Sequence, residues 1–203
     1  NAMQFAFGRA LGPVLAGESL PRHPFWPDAP SQSSNIPMVI GNARDETRAF
    51  LGNDPANFAL TWDALPARLR AQQFVDLDPR EVIAEYRRLY PAYTPSEVFF
   101  AATTAGRSWR GAVEELEARA RAGNNTWAYQ LDWHPDTEEG RRTRAFHTLD
   151  IPLVFDNLAQ PGARCGITGC LDTHTAFDLQ FFFLRIGQVT DQQTQLLRGH
   201  RRL

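Results

Sequence analysis

One stretch, Ile36 to Phe50, constrains the fold of this chain more than any other. Its first part is an apolar run without polar alternation, which is typical of a strand covered on both faces of an α/β sheet. The run breaks at Gly41, and Asp45 and Glu46 follow. Ligands and catalytic groups gather at the carboxyl ends of such strands. The pattern therefore predicts a buried strand that presents Glu46 as a catalytic acid; the alternative is an ion-paired or surface carboxylate.

A second stretch, Thr143 to Asn157, places a histidine before another apolar run. His147 is followed by Asp150 and then by Val154–Phe155. Together the two stretches resemble the type-B carboxylesterase family, the cholinesterase and para-nitrobenzyl esterase group of the α/β-hydrolase superfamily. In that family a strand ending in a Gly-x-x-x-Asp-Glu sequence supplies the acid, and a His with Glu or Asp three residues later supplies the base. The resemblance implies that Glu46 is the acid and His147 the base.

The resemblance extends from about Phe5 to about Asn157 and implies only the later part of a family member. The family's G-x-S-x-G nucleophile elbow lies N-terminal to the acid, because the triad runs Ser, then Asp or Glu, then His along the chain. No G-x-S-x-G occurs in this sequence. A near match, Gly106 to Arg110, has Arg at the second Gly and follows Glu46. We interpret Ser108 as a helix-start residue.

The fold that the resemblance implies is α/β: the C-terminal portion of an α/β-hydrolase fold, with few, mostly parallel strands and covering helices. With 203 residues and 43% hydrophobic content, the chain is long enough to fill one core. We expect residues 1–3 to be a tag scar and start Met, and residues 4–203 to form a single domain. Residues 158–203 are expected to be a divergent tail, through either family divergence or an altered reading frame near Arg164.

Local signals predict helices between the two stretches. Asp78 and Thr94 each precede a proline and lie three residues before a glutamate, which is typical of a helix start. Apolar spacing from Phe99 to Ala120 predicts one long helix or two helices broken near Gly106. Apolar alternation from Thr126 to Trp133 predicts a strand.

Composition excludes several classes of partner. A net charge of -2 provides no basic surface for nucleic acid or acidic membranes, and no run of roughly 20 apolar residues predicts a membrane span. A cytoplasmic location is favoured, although we expect the native N-terminus to be missing. The basic cluster Arg141 to Arg144 is interpreted as a solvated loop, with an acidic-substrate site as the alternative.

No metal or cofactor is expected. Cys165, Cys170 and His174 do not make up a usual zinc site, because a fourth ligand and a second pair of ligands are missing. His134, beside a proline, is a rival to His147 for the role of base, but only His147 has the family's downstream match.

The resemblance implies a serine carboxylesterase that hydrolyses small-molecule carboxylic esters, with His147 as base and Glu46 as the orienting acid. This chain alone is expected to be inactive, because nucleophile and oxyanion hole are absent. One alternative is a catalytically dead α/β-hydrolase-like interaction module. Another is an unrelated hydrolase that uses Glu46 or His134 with a metal ion.

The same interpretation predicts self-association. The strand at Ile36 to Gly41 would normally pair with a neighbour that this chain does not supply. An unpaired apolar edge invites strand addition from another copy. We therefore expect a homo-oligomer through an exposed sheet edge, with this strand or the aromatic segment Phe177 to Ile186 at the contact; a tail that folds back over the edge is the alternative.

Overall fold

A computed structural model describes residues 20–72 and 77–155, the separate positions 15, 17 and 18, and the backbone of 184 and 185. In this part of the chain a small sheet is covered by helices. The strands are β1 (Met38–Ala43), β2 (Thr126–Leu131) and the short β3 (Leu184–Arg185). The α-helices are α1 (Arg48–Leu51), α2 (Leu65–Gln72), α3 (Pro79–Leu89), α4 (Pro95–Thr104), α5 (Arg110–Arg121), α6 (Glu138–Thr143) and α7 (Asp150–Val154). Short 3-10 turns lie at Ser31–Ser33 and Pro55–Phe58, and a π-helical turn at Ala105–Trp109 joins α4 to α5.

In the part of the chain that the structure describes, the sheet has three strands in the order β1-β2-β3. β1 and β2 are parallel, with Met38 opposite Thr126 and Ala43 opposite Leu131, whereas β3 is antiparallel to β2. Parallel strands with helices as covering elements confirm the predicted α/β class. Gly41 is required for the close pairing, because a Cβ at that position would overlap the carbonyl oxygen and the ring of Tyr129.

Both predicted helix starts are confirmed. Asp78 precedes α3, and its carboxylate accepts a hydrogen bond from the Arg80 backbone N–H (2.9 Å). Thr94 precedes α4 with a complete capping box: its hydroxyl accepts from the Glu97 N–H, and the Glu97 carboxylate accepts from the Thr94 N–H (2.8 Å). The alternating segment also forms the predicted strand, as β2.

The interpretation of Ser108 as a helix-start residue is wrong. The chain stays helical from α4 through the π-helical turn into α5, and Ser108 lies inside that turn. Its hydroxyl donates to the carbonyl of Thr104, one turn earlier (3.3 Å). Because Gly106 is absorbed within the turn, the helix is continuous instead of broken there.

The expectation that the first strand is covered on both faces is also corrected. β1 begins at Met38, and Val39 leaves 54% of its surface exposed. Only the opposite face of β1 is covered near its start, where Ile40 packs against Leu116 and Ala128. At its carboxyl end the strand becomes fully buried, since Ala43 is 1% exposed.

The two largest hydrophobic clusters have different positions, one among the helices and one at the end of the sheet. The larger one joins α2, α3 and α4, and its buried members are Leu65, Leu69, Val82, Ile83, Tyr86, Val98, Phe99, Phe100 and Ala102. The other lies beneath the segment that carries His147, and its buried members are Ala43, Leu131, Ala145, Phe146, Leu149 and Leu153. This second cluster therefore ties the carboxyl ends of β1 and β2 to the segment that carries His147.

Arg119, in the last turn of α5, anchors the segment that leads into β1. Its side chain is fully buried, and its guanidinium donates to the carbonyls of Ser33 (3.1 Å) and Ile36 (2.7 Å) and to the hydroxyl of Thr126 (2.9 Å). Neutral oxygens, not a carboxylate, are its hydrogen-bond partners among the described residues. A buried cation of this kind is tolerated because its donors are satisfied.

Several predictions concern residues outside the part of the chain that the structure describes. Cys165, Cys170, His174 and the aromatic segment Phe177 to Ile186, apart from the backbone of 184 and 185, lie outside the described residues, as does almost all of the predicted tail. Among the helices that are described, none is both long and apolar enough to cross a membrane.

We expect Arg119→Met to lower the free energy of unfolding by about 3 kcal/mol, because it leaves several buried oxygens without donors. Chemical denaturation measures the change. Arg121→Met is the matched control: it lies in the same helix, its side chain is 63% exposed, and its ion pair, with Glu117 at 3.3 Å, is at the surface. An exposed pair contributes less than about 1 kcal/mol. Equal losses in both variants would contradict the anchoring role.

We also expect self-association through β1, because this strand is at the edge of the sheet and Val39 is exposed on it. Light scattering at micromolar concentration should give a mass above the 22.9 kDa of one chain. Val39→Lys places a charge on the edge strand and should shift the mass toward that of the single chain. A wild-type chain that stays at 22.9 kDa and melts cooperatively refutes the expectation.

Candidate active site

The structure brings Glu46 and His147 together at the carboxyl end of the sheet. Glu46 follows the last residue of β1 by three positions, and His147 lies between α6 and α7. The Oε2 atom of Glu46 is 2.5 Å from Nδ1 of His147. The carboxylate side chain is 9% exposed and the imidazole 43%. With Nδ1–H donating to the carboxylate, Nε2 of a neutral His147 is a hydrogen-bond acceptor.

The Glu46 carboxylate is fixed by its own strand and by the residue that follows it. Its Oε1 accepts from the backbone N–H of Ala43 (2.9 Å). Thr47 is fully buried against α4, where its N–H donates to the Thr104 hydroxyl (3.2 Å). The Thr47 hydroxyl lies within hydrogen-bond distance of the Phe100 carbonyl (3.1 Å) and the hydroxyls of Thr103 (2.8 Å) and Thr104 (2.9 Å). We name this group the threonine cluster: Thr47, Thr103 and Thr104.

A buried arginine joins the segment that carries Glu46 to the segment that precedes His147. The Arg48 guanidinium donates to the Asp45 carboxylate (3.1 Å) and to the Arg142 carbonyl (2.6 Å), and it lies 4.5 Å from the centre of the Phe100 ring. Burial lowers the pKa of Arg48, and the Asp45 carboxylate partly offsets that effect. A backbone hydrogen bond from Asp45 N–H to the Ala145 carbonyl (2.8 Å) makes a second link.

The basic cluster before His147 is exposed to solvent at Arg141 and Arg142, as expected, but it is not a loop. Most of it lies in α6, and each of its three arginines has an acidic partner. The pairs are Arg141–Asp136, Arg142–Glu139 (2.6 Å) and Arg144–Glu97 (2.8 Å).

His147 lies on a segment that is anchored on both sides. Ala145, Phe146 and Leu149 are buried in the cluster beneath it. Arg144 and Thr148 have φ values of 51° and 74°, a region that non-glycine residues rarely adopt. Such strained residues persist only where the surrounding structure holds them, and they concentrate at functional sites. The burial of the neighbours therefore fixes the backbone that points the imidazole toward Glu46.

An aromatic ring packs against the imidazole of the pair. The Phe50 ring centre lies 5.0 Å from that of His147, and the Arg107 guanidinium lies 4.0 Å from the centre of Phe50. Tyr129 donates to the Asp150 carboxylate (3.1 Å). Burial, together with the Asp150 charge, raises the pKa of Tyr129 to about 12, so its phenol remains protonated at neutral pH and keeps donating.

His134, the rival base, lies elsewhere. Its Nδ1 is 3.1 Å from the carbonyl of Pro135, and no described contact joins it to Glu46. Within the described ranges, no group of three or more His, Cys, Asp or Glu side chains is arranged to hold a metal ion. The sequence analysis identified Glu46 and His147 as candidate site residues but missed the threonine cluster. The only trace of this cluster in the sequence is two adjacent threonines within a predicted helix, and that pattern is too common to indicate a site.

Comparison with known proteins identifies relatives among esterases. No protein-family model matches the chain. The chain is 31% identical over 163 residues to the para-nitrobenzyl esterase of Bacillus subtilis (strain 168), a match that covers 78% of this chain and 29% of that protein. It is 33% identical over 158 residues to the fumonisin B1 esterase of Sphingopyxis macrogoltabida, covering 76% of this chain and 27% of that one.

Solved structures agree with the sequence matches. The carboxylesterase of Geobacillus stearothermophilus, in its crystal structure at pH 6.2, superposes with a TM-score of 0.60 at 27% identity. That match covers 82% of this chain and 34% of the other. The chain thus spans about a third or less of the length of its relatives.

The short Glu46–His147 contact predicts a distinctive signal in the proton NMR spectrum. We expect the Nδ1–H of His147 to give a strongly downfield proton resonance, because a hydrogen bond to a charged acceptor is short and slows exchange with solvent. Glu46→Gln should abolish this resonance. Glu114→Gln, which changes an exposed carboxylate paired with Arg110, is the control and should leave the resonance in place. Persistence of the signal in the Glu46 variant would mean that His147 has another acceptor.

Proposed function

Because this chain belongs to the type-B carboxylesterase family, we propose that Glu46 and His147 are the acid and the base of a serine carboxylesterase triad. The observation that carries the proposal is the 2.5 Å contact between the carboxylate and Nδ1 of the imidazole. It supports the proposal because a triad needs a carboxylate on one ring nitrogen and an accessible second nitrogen. The 43% exposure of the His147 side chain fits the second requirement.

In the proposed reaction a serine hydroxyl, supplied by residues outside this chain, attacks the ester carbonyl. Nε2 of His147 takes the hydroxyl proton as the serine–carbonyl bond forms, and gives it to the alkoxide as the ester bond breaks. Water then attacks the acyl-serine, and the same nitrogen again takes a proton and returns it to the serine. Glu46 stays ionised throughout, holds the Nδ1–H tautomer and stabilises the imidazolium that forms twice.

The rigidity of the site supports this assignment. Glu46 receives a backbone N–H from Ala43, and the next residue is locked into the threonine cluster. A carboxylate that is held in this way orients the imidazole without reorganising during the reaction, which is the condition for efficient electrostatic stabilisation. Surface ion pairs, by contrast, rarely have several buried hydrogen bonds on each side.

The proposed substrates are small-molecule carboxylic esters. The relatives are named for a para-nitrobenzyl ester and for fumonisin B1. For this chain we propose the shared chemistry, cleavage of a carboxylic ester, and no particular acyl or alcohol group. The 203-residue sequence contains no G-x-S-x-G motif, so the nucleophile of the proposed triad must come from elsewhere.

We expect no turnover of para-nitrophenyl acetate by this chain alone above the rate of its His147→Ala variant. To test the roles themselves, the segment of the Bacillus subtilis para-nitrobenzyl esterase that aligns with residues 36–157 is replaced by this chain's residues. In the folded chimaera, His147→Ala and Glu46→Gln should each lower kcat by about 10³-fold or more.

Two controls in the same chimaera make the result specific. His134→Ala and Ser108→Ala change the rival histidine and the serine of the imperfect elbow, and both should leave kcat within about twofold of the parent chimaera. Circular dichroism and thermal melting identify variants that are folded. If a folded His147→Ala chimaera keeps the parent's kcat, or if His134→Ala abolishes it, the assignment of the base is wrong.

A further inference from the structure

A cavity of about 240 Å³ lies at the carboxyl end of the sheet, on the face opposite the cluster beneath His147. Gln130 of β2 lines it, and its neighbour Leu131 points to the other face, as alternation along a strand requires. Nothing in the proposed triad uses this cavity. Its lining combines aromatic rings with two arginines, Arg44 and Arg144, and three carboxylates.

The apolar part of the lining is flat and aromatic. Tyr90 and Tyr93 stack with ring centres 4.8 Å apart and planes 15° apart, and Tyr86 is almost fully buried behind them. The buried Trp109 of the π-helical turn lines the cavity as well. Aromatic walls of this kind favour planar rings, which stack offset or edge-on against them.

The three carboxylates of the lining already have partners in the protein. Asp45 accepts from Arg48 (3.1 Å). Glu97 accepts from the backbone and the hydroxyl of Thr94 and from Arg144. Asp132 accepts from Gln130 and lies 3.6 Å from Arg44. Each carboxylate is therefore held within the protein, and the cation beside Glu97 and Asp132 is Arg144 and Arg44, respectively, so a ligand would share these two arginines.

The two arginines keep donors available. Each guanidinium has five N–H groups. Among the described contacts, Arg44 donates one hydrogen bond, to the Tyr93 hydroxyl (3.2 Å), and Arg144 donates one, to Glu97 (2.8 Å). Their side chains are 49% and 37% exposed. A planar guanidinium with spare donors binds a carboxylate in a two-pronged geometry.

We propose that this cavity is a binding site for a small aromatic carboxylate, with the carboxylate on Arg44 and Arg144 and the ring against the stacked tyrosines and Trp109. The volume suits a single ring, because pockets for drug-sized ligands begin at about 300 Å³. This site does not depend on the proposed triad, since none of the groups that would contact the ligand is Glu46 or His147.

Benzoate is the probe, and isothermal titration calorimetry on the whole chain is the measurement. We expect saturable binding with a Kd on the order of 1 mM, a value suited to so small a ligand. Benzamide keeps the ring without the charge, and acetate keeps the charge without the ring. Both should bind at least about tenfold more weakly, because each loses one of the two interactions.

Variants locate the site. Arg44→Gln and Arg144→Gln should each weaken benzoate binding at least about tenfold. Arg110→Gln is the matched control, because its guanidinium is exposed, pairs with Glu114 and lies outside the cavity lining; it should not change the Kd. Thermal melting verifies folding, and Arg44→Gln decides alone if Arg144→Gln does not fold. The proposal is overturned if benzoate does not bind at millimolar concentration, if benzamide binds equally well, or if Arg44→Gln leaves the Kd unchanged.

Discussion

Parallel pairing of β1 with β2 is the constraint on which the rest of the structure depends. The pairing brings the carboxyl ends of two strands that are distant in sequence to one edge of the sheet. It continues past the strands, because Arg44 N–H donates to the Leu131 carbonyl (2.9 Å) and Asp45 N–H donates to the Ala145 carbonyl (2.8 Å). Backbone hydrogen bonds therefore set the distance between the segments that carry Glu46 and His147, independently of the contact between the two side chains.

The energetic balance of the site depends on hydrogen bonds that satisfy the buried polar groups of Glu46 and Thr47. Burying a carboxylate is costly unless it is paired, and Glu46 meets this condition through Ala43 and His147. The Thr47 hydroxyl is likewise buried among three oxygens that accept or donate hydrogen bonds. A satisfied hydrogen bond contributes only about 1 kcal/mol, whereas an orphaned buried group costs about 1–3 kcal/mol. The network therefore stabilises the observed arrangement mainly because any other arrangement would leave a buried polar group without a hydrogen-bond partner.

The helix caps could be predicted from the local sequence. The long-range contact between Glu46 and His147 could be predicted only through the family resemblance. The caps at Asp78 and Thr94 were predictable because their signals lie within four residues of each other. The proximity of Glu46 and His147 was predictable only because the family pattern relates two distant stretches. Arg119 was not predictable, because its importance comes from carbonyls brought to it by folding. The exposure of Val39 was missed for a similar reason: an apolar run does not reveal which neighbours will cover it.

The π-helical turn at Ala105–Trp109 has a consequence for how this chain can change in evolution. Upstream of it, α4 directs Thr103 and Thr104 toward Thr47; downstream, α5 directs Leu116 and Arg119 toward the sheet. Each residue of a regular helix rotates the chain by about 100°. Deleting one residue here would turn one of these two faces away from its partner. The turn therefore tolerates substitutions far better than insertions or deletions. We expect homologous sequences that evolve from this gene to keep the same number of residues in the turn.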